Sequence, residues 1–139
     1  MKNIKIGKID ISELNTPPEK HEYDTAKYFA KRGYNVNFIK PSDIKGFNSP
    51  DLKMCGKIWG VKSPTSGSNA SFEHNFRKAD KQSENTIFDL RRLNYIVEEK
   101  YIGKLMKASA SSRVKILLII TLDGRLLTAK GKFGNIKAR

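Results

Sequence analysis

The stretch PDLKMCGKIWGVKS, residues 50–63, decides the fold predicted for this chain. Residues 51–55 and 58–63 are rich in strand-forming side chains, and Gly56-Lys57 between them is typical of a tight turn. The stretch therefore predicts a compact β-hairpin that begins just after a proline.

The hairpin predicts a cluster of polar groups at one end. Because side chains alternate along a strand, Gly60 and Lys62 are expected on one face, and Trp59 and Val61 on the other. Asp51 precedes Gly60 by nine positions, so a tight hairpin brings the two residues across from each other. A carboxylate at a strand start, a second ligand opposite and a lysine two residues later are what metal-assisted phosphodiester cleavage requires. The metal polarises the phosphate and activates a water, and the lysine stabilises developing negative charge.

Elements on both sides of the hairpin predict an α/β layered domain. Their order is helix, three strands, helix and strand, followed by a helix and a β-hairpin. The first helix begins with a capping box at Thr16-Pro17-Pro18-Glu19 and runs to about Arg32, because Gly33 supplies the left-handed C-cap. The others are a strand at 34–38, a loop at 41–50, a helix after Ser68, a strand at 86–91, a helix at 94–108 and a hairpin of 114–121 and 125–128. Residues 1–15 are expected to form an N-terminal arm or an extra strand, and residues 16–139 the main domain.

One acidic residue lies on the predicted inner face of the first helix. Glu22, Ala26, Phe29 and Gly33 follow helical spacing, so Glu22 is in line with apolar side chains and points towards the sheet. A carboxylate there is costly unless it is hydrogen-bonded or serves a metal. The plainer alternative is that Glu22 supports a lysine or arginine on the helix surface.

The net charge indicates a polyanionic partner. The 139 residues include 27 Lys and Arg against 14 Asp and Glu, which gives +13. The excess is +5 in residues 1–70 and +8 in residues 71–139, so it is not confined to a tail. Such a field concentrates nucleic acid, although a merely soluble, lysine-rich protein is the alternative.

Other compositional features exclude several classes. A single cysteine, Cys55, excludes an internal disulfide and a multi-cysteine zinc site. The longest apolar run, residues 116–120, is too short to span a bilayer, so no membrane association of this domain is expected.

The order of elements and the Pro-Asp…Val-Lys pattern resemble the PD-(D/E)xK nuclease core. A closer resemblance, over residues 16–92, is to the C-terminal tRNA-nuclease toxin domain of contact-dependent growth inhibition (CdiA-type) systems. The phrases that carry it are Pro17-Pro18, Glu22, Thr25-Ala26, Gly33-Tyr34-Asn35-Val36, Pro50-Asp51-Leu52, Trp59, Val61-Lys62-Ser63-Pro64, Phe76-Arg77-Lys78-Ala79, Lys81-Gln82-Ser83 and Ile87-Phe88-Asp89-Leu90-Arg91-Arg92.

This resemblance implies a set of site residues. Asp51 would be a metal ligand, Glu22 the helix carboxylate near the metal, and Lys62 the catalytic lysine. Ser63 and Gln82 would lie at the rim of the site. The implied cofactor is a divalent metal, Mg²⁺. Taken singly, Asp51 could be an ordinary turn residue and Lys62 a solvated lysine.

Basic residues follow the predicted site along the chain. Arg77, Lys78 and Lys81 lie on one helix, and Arg91-Arg92 lies at a strand end. We expect them to contact the phosphate backbone of nucleic acid. Alternatively, the three helix residues are only the polar face of an amphipathic helix.

At position 60 the chain departs from the family, which has an acidic residue there, and glycine offers no metal ligand. Either the active site has been disabled, or another carboxylate substitutes. The resemblance implies a metal-dependent tRNA-cleaving toxin domain, inactivated here by Gly60. It also implies a cognate acidic immunity protein, delivery as the C-terminal part of a larger secreted effector, and action in the cytoplasm of a target bacterium. The alternatives are a DNA endonuclease of the same fold and a catalytically dead nucleic-acid-binding module.

Overall fold

The computed structural model describes residues 5–41 and 49–133. Within these ranges the chain forms one mixed sheet of seven strands, three α-helices and a short 3-10 helix, which confirms the α/β class. The strands are β1 Ile9–Asp10, β2 Val36–Phe38, β3 Leu52–Met54, β4 Lys57–Lys62, β5 Asn85–Asp89, β6 Ile116–Ile120 and β7 Leu126–Lys130. The helices are α1 Lys20–Lys31, α2 Asn69–Gln82, the 3-10 turn Tyr95–Val97 and α3 Glu98–Ala110.

The strands lie side by side in chain order, from β1 to β7. Strands β2, β3 and β4 form an antiparallel unit, whereas β4, β5 and β6 run parallel to one another. Strand β1 is parallel to β2, and β7 closes the other edge antiparallel to β6. Because β4 and β5 are parallel, their carboxyl ends meet at the same edge of the sheet.

Helices cover both faces of the sheet. Helix α1 buries Ala26 and Phe29 on one face, and α2 and α3 pack on the other through residues such as Phe72 and Leu105. The interior strand β6, sequence ILLII, is buried along its whole length, as expected for a strand covered on both faces. In the described part of the chain, no helix is both long enough and apolar enough to cross a membrane.

The first helix begins later than the sequence predicts. The predicted capping box at Thr16 is wrong: α1 starts at Lys20 with Glu19 as its N-cap, and the Glu19 N–H donates to Glu22 Oε1 at 3.1 Å. Two consecutive prolines explain the shift, since the second disfavours helical backbone at the first. The predicted end is confirmed, because Gly33 follows the helix with a φ of 98°.

The hairpin turn is displaced by one residue. Cys55 and Gly56, not Gly56 and Lys57, are its central residues, with φ values of 57° and 73°. Both are left-handed, as a type I′ turn requires. The remaining elements match the predicted ones with ends that differ by a few residues. Among residues 1–15, positions 9–10 form the extra strand β1. Of the predicted loop at 41–50, positions 42–48 lie outside the described residues.

Candidate active site at the carboxyl end of β4

The β3–β4 hairpin brings Asp51 across from Gly60, as the spacing predicts. Leu52 pairs with Trp59, and the Asp51 N–H donates to the Trp59 carbonyl at 2.8 Å. The Asp51 side chain reaches further along β4, where Oδ2 accepts the Val61 N–H at 2.7 Å. The carboxylate is therefore fixed by the backbone of the strand opposite.

The last residue of α2 joins this carboxylate. Gln82 Nε2 donates to Asp51 Oδ2 at 3.0 Å, and it also donates to the Ser49 carbonyl. The following residue anchors the helix end, since Ser83 Oγ donates to the Ile58 carbonyl at 3.0 Å. The Gln82 Oε1 atom is buried without a hydrogen-bond partner among the described residues. Asp51 and Gln82, which are 31 residues apart in the chain, are thus in direct contact.

Gly60 faces the same side chain. A Cβ atom at this position would lie 2.8 Å from Gln82 Oε1 and 3.1 Å from Gln82 Cδ. The Gln82 amide thus lies against the direction in which a side chain at position 60 would project. An acidic residue there would have to displace this amide, which is the flexible end of its side chain.

Lys62 lies two residues further along β4. Trp59 is fully buried and Val61 packs against the same core, so Lys62 shares the opposite face with Gly60, as predicted. Burial lowers the pKa of Lys62 most. Asp51 and Glu22 oppose this shift, and the positive charge of Lys78 adds to it. A half-buried ammonium therefore lies beside the Asp51 carboxylate.

Burial acts in the opposite sense on the carboxylate. It raises the pKa of Asp51, and the nearby negative charge of Glu22 raises it further. The Val61 N–H bond, the Lys62 charge and the Gln82 amide lower it, but burial has the larger effect. Burial thus disfavours the ionised form of Asp51 and the charged form of the nearby Lys62.

Glu22 is close enough to influence both groups but has a structural bond of its own. It is half-buried in the first turn of α1, and its Oε1 accepts the Glu19 N–H. This hydrogen bond is one way in which a carboxylate on the inner face of the helix can be accommodated without a metal. Sequence reasoning missed this capping role because it placed the capping box one turn earlier.

The donors present do not complete a divalent-metal site. Among residues 5–41 and 49–133, no group of three His, Cys, Asp or Glu side chains converges as metal ligands would. Asp51 and Glu22 each have an oxygen committed to a backbone N–H, and position 60 offers no side chain. The residues that the structure describes therefore do not fit a bound Mg²⁺ ion without a further ligand.

Ser63 directly follows Lys62, and three of the predicted phosphate-binding residues lie on α2. Ser63 Oγ is buried without a hydrogen-bond partner in the described ranges, and the Ser63 carbonyl accepts Arg92 Nη1 at 3.2 Å. Arg77, Lys78 and Lys81 are exposed on α2, and only Lys78 is among the charges that act on Lys62.

Arg91 is held differently from its neighbour. It forms an ion pair with the buried Asp89 at 2.7 Å, through Nη2, and its Nε donates to the other Asp89 oxygen at 2.9 Å. The Thr25 hydroxyl donates to the same carboxylate at 2.6 Å. Sequence reasoning missed this network. The acidic and basic residues of Asp89-Leu90-Arg91 at a strand end could have indicated an ion pair. Nothing in the sequence indicates that Thr25 lies close to them.

Comparisons with known proteins agree with this architecture. The family profile "Contact-dependent growth inhibition CdiA C-terminal domain" matches residues 48–126, more than half of the chain, and includes the hairpin, α2 and β5. A solved structure, the CdiA-CT/CdiI toxin and immunity complex from Burkholderia pseudomallei, has a similar fold with a TM-score of 0.63. That similarity is at 17% sequence identity and covers 89% of this chain and 99% of the other. No curated protein matches the chain in sequence.

The extent of the profile match decides the classification. It begins just before Pro50 and ends after the β6–β7 turn, so it includes Asp51, Gly60 and Lys62. Such a match supports a toxin function. The chain belongs to the CdiA C-terminal domain family of contact-dependent growth inhibition.

Proposed function

We propose that this domain is a ribonuclease toxin of the PD-(D/E)xK type, with tRNA as its substrate, and that Gly60 leaves it inactive or nearly so. The observation that carries the proposal is the contact between Gln82 and Asp51 beside Lys62. Three short sequence motifs that are separate in the chain meet there, and they supply the carboxylate and the lysine of the arrangement that phosphodiester cleavage requires, without the second ligand at position 60.

The chemical roles follow from charge and burial. Lys62 would stabilise negative charge that develops on the scissile phosphate, because a half-buried cation interacts with an anion more strongly than one in open water. Lys78 would add positive charge on the approach to the site. The Val61 N–H would hold the Asp51 carboxylate in one orientation, and Gln82 adds a second bond while position 60 is a glycine.

A divalent metal ion, Mg²⁺, is the cofactor that we propose for the active form. Its ligands would be Asp51, an acidic residue at position 60 and, through water, Glu22. Gly60 removes the second of these, and the described residues offer no replacement. We therefore assign no catalytic step to a metal in the chain as it stands.

The substrate and partners follow from the charge and the family. A net charge of +13 favours a polyanion, and lysines and arginines can bind phosphates without a metal. A cognate acidic immunity protein would be attracted by the same charge and would cover Lys62, Arg77 and Lys81. We propose that the domain reaches the cytoplasm of a target bacterium as the C-terminal part of a larger effector.

A second candidate function is a nucleic-acid-binding module without catalysis. The position of Gln82 favours it, because its amide occupies the space beside Asp51 into which a side chain at position 60 would project. Such a module would bind tRNA with a steep salt dependence and would not cut it.

A cleavage assay on two substrates separates these functions. The chain and its Gly60→Glu variant are incubated with tRNA and with duplex DNA, each with Mg²⁺ and with EDTA. The proposal predicts cleavage of tRNA by Gly60→Glu in Mg²⁺ alone. Cleavage of DNA in preference to tRNA would indicate a DNA endonuclease. A folded Gly60→Glu variant that binds tRNA but cuts neither substrate would favour the binding module.

A further inference from the structure

A second basic feature lies on the other face of the sheet from Gly60 and Lys62. An open cleft of about 610 Å³ runs between α1 and the segment that follows β5. Its cationic side chains come from both walls: Lys27, Lys31 and Arg32 from α1, and Arg91 and Arg92 from the segment after β5. The sequence predicts phosphate contacts for Arg91 and Arg92 but does not single out the three residues of α1.

The carboxylates in this cleft are already neutralised. Asp24 is paired with Lys20 at 2.8 Å, and Asp89 is paired with Arg91. Lys27 and Lys31 are exposed, and neither has an ion pair within the described ranges. The cleft therefore carries a surplus of positive charge that the fold itself does not use.

Two of the cations are held in fixed positions. The Arg32 and Arg91 guanidinium carbons lie 4.6 Å and 5.2 Å from the centre of the Tyr28 ring. The Tyr28 hydroxyl donates to the Gly124 carbonyl at 2.6 Å, which fixes the ring, and Asp89 fixes Arg91. The Nε and Nη2 donors of Arg91 are already bonded to Asp89 and to the Asp24 carbonyl, so Arg91 orders the wall of the cleft. Arg32, ordered over the same ring, loses little freedom on binding, and its planar shape matches phosphate oxygens.

The cleft comes next to the candidate active site at Ser63. Ser63 lines it and directly follows Lys62, so the two side chains lie on opposite sides of the end of β4. Arg92, on the opposite wall of the cleft, is joined to the segment that directly follows β4 through its bond to the Ser63 carbonyl. A nucleic-acid strand that passes over the carboxyl ends of β4 and β5 would reach both Lys62 and the cleft.

We infer that this cleft binds the sugar-phosphate backbone of the RNA substrate beside the scissile bond, so that the strand bends around the carboxyl end of β4. The inference rests on the proposed function for the identity of the polyanion. It extends that function by assigning Lys27, Lys31 and Arg32 to substrate binding. Lys27 and Lys31 are one helical turn apart, which suits contact with successive phosphates.

The test measures tRNA binding without cleavage. Fluorescence anisotropy with labelled tRNA is recorded in EDTA at several KCl concentrations, for the chain and for Lys27→Glu/Lys31→Glu. A matched control, Lys100→Glu/Lys107→Glu, makes the same change in net charge on α3, outside the cleft. Lys27→Gln/Lys31→Gln serves as a second variant that reverses no charge, and circular dichroism checks that all variants fold.

We expect the cleft variant to bind tRNA about tenfold more weakly or worse, and the slope of log Kd against log salt to fall by about two, one for each lost phosphate contact. The control should retain the slope of the unmodified chain. If the cleft and control variants bind tRNA equally, with the same salt slope, the inference is overturned.

The outcome for the inference is separable from the outcome for the proposed function. Binding in EDTA does not depend on catalysis, so a chain that never cuts RNA can still show the cleft effect. Conversely, cleavage of tRNA by Gly60→Glu together with equal binding by the cleft and control variants would retain the function and reject the cleft.

Discussion

The side-chain amide of Gln82 lies where a side chain at position 60 would project, 2.8 Å from the place that a Cβ atom would take. The same amide holds the Asp51 carboxylate at 3.0 Å. The absence of a side chain at position 60 and the inward position of Gln82 are therefore linked. The link predicts that substitutions at the two positions are not additive.

A double-mutant cycle tests this link. Gly60→Ala should lower the free energy of unfolding, because the new Cβ pushes Gln82 from Asp51. In a Gln82→Ala background the same change should be neutral or stabilising, since alanine loses less backbone entropy than glycine. We expect a coupling free energy of about 1 kcal/mol from urea denaturation. Equal effects of Gly60→Ala in both backgrounds would show that the two residues do not interact.

The Asp89 network should be a major source of stability. Asp89 is 4% exposed and accepts hydrogen bonds from Thr25 and Arg91. Asp89→Asn should lower the free energy of unfolding by about 3 kcal/mol, because it leaves the Arg91 charge without its partner. Glu84→Gln, which removes an exposed partner of Lys115, is the matched control and should cost less than about 1 kcal/mol. Similar losses for both would contradict the role of the network.

The raised pKa of Asp51 predicts how stability changes with pH. Between the ordinary aspartate pKa and the raised one, the folded chain holds a proton that the unfolded chain has released. Stability should therefore fall as pH rises through this window. Asp51→Asn should remove this decrease, because its side chain does not titrate.

Denaturation curves from pH 3 to pH 8 measure this effect. Glu22, Lys62 and Gln82 also face Asp51, so Glu22→Gln is included to separate the influence of its charge. The expected result is that Asp51→Asn gains stability relative to the unmodified chain as pH rises. A gain that is the same at every pH would mean that burial does not shift the pKa of Asp51.

The proposed immunity partner can be tested by charge reversal. Arg77 and Lys81 are exposed one turn apart on α2, near the candidate site. Arg77→Glu/Lys81→Glu should weaken binding of the cognate immunity protein at least tenfold, mainly through slower association. Lys100→Glu/Lys107→Glu should leave the affinity almost unchanged in calorimetry. A basic neighbouring gene product, or one that does not co-purify, would count against the partner.

Local patterns in the sequence predict most of the fold. Period-two and helical spacing give the order of elements, and Gly33 gives the end of α1. The predicted start of α1 is wrong. The residues Thr16-x-x-Glu19 match the sequence pattern of a capping box, but the two prolines between them keep that segment out of the helix. The predicted β3–β4 turn is one residue too late, because the sequence does not indicate that a non-glycine residue such as Cys55 adopts a positive φ.

The site could be predicted in part. Strand alternation correctly places Gly60 and Lys62 on one face, and hairpin spacing brings Asp51 opposite. The contact of Gln82 with Asp51 depends on how α2 crosses the sheet, and residue spacing does not encode that crossing. The cleft between α1 and the segment that follows β5 could not be predicted for the same reason, because its two walls are far apart in the chain and meet only through the packing of the fold.

The rate of tRNA cleavage by Gly60→Glu in Mg²⁺ tests the central claim most directly. It is measured against the unmodified chain and against Gly60→Glu/Asp51→Ala, which has the acidic side chain at position 60 but lacks the opposing carboxylate. We predict that Gly60→Glu cuts tRNA on the order of a hundredfold faster than either, and that EDTA abolishes the difference. A folded Gly60→Glu variant that is no faster than Gly60→Glu/Asp51→Ala would contradict the assignment of this site as a nuclease centre.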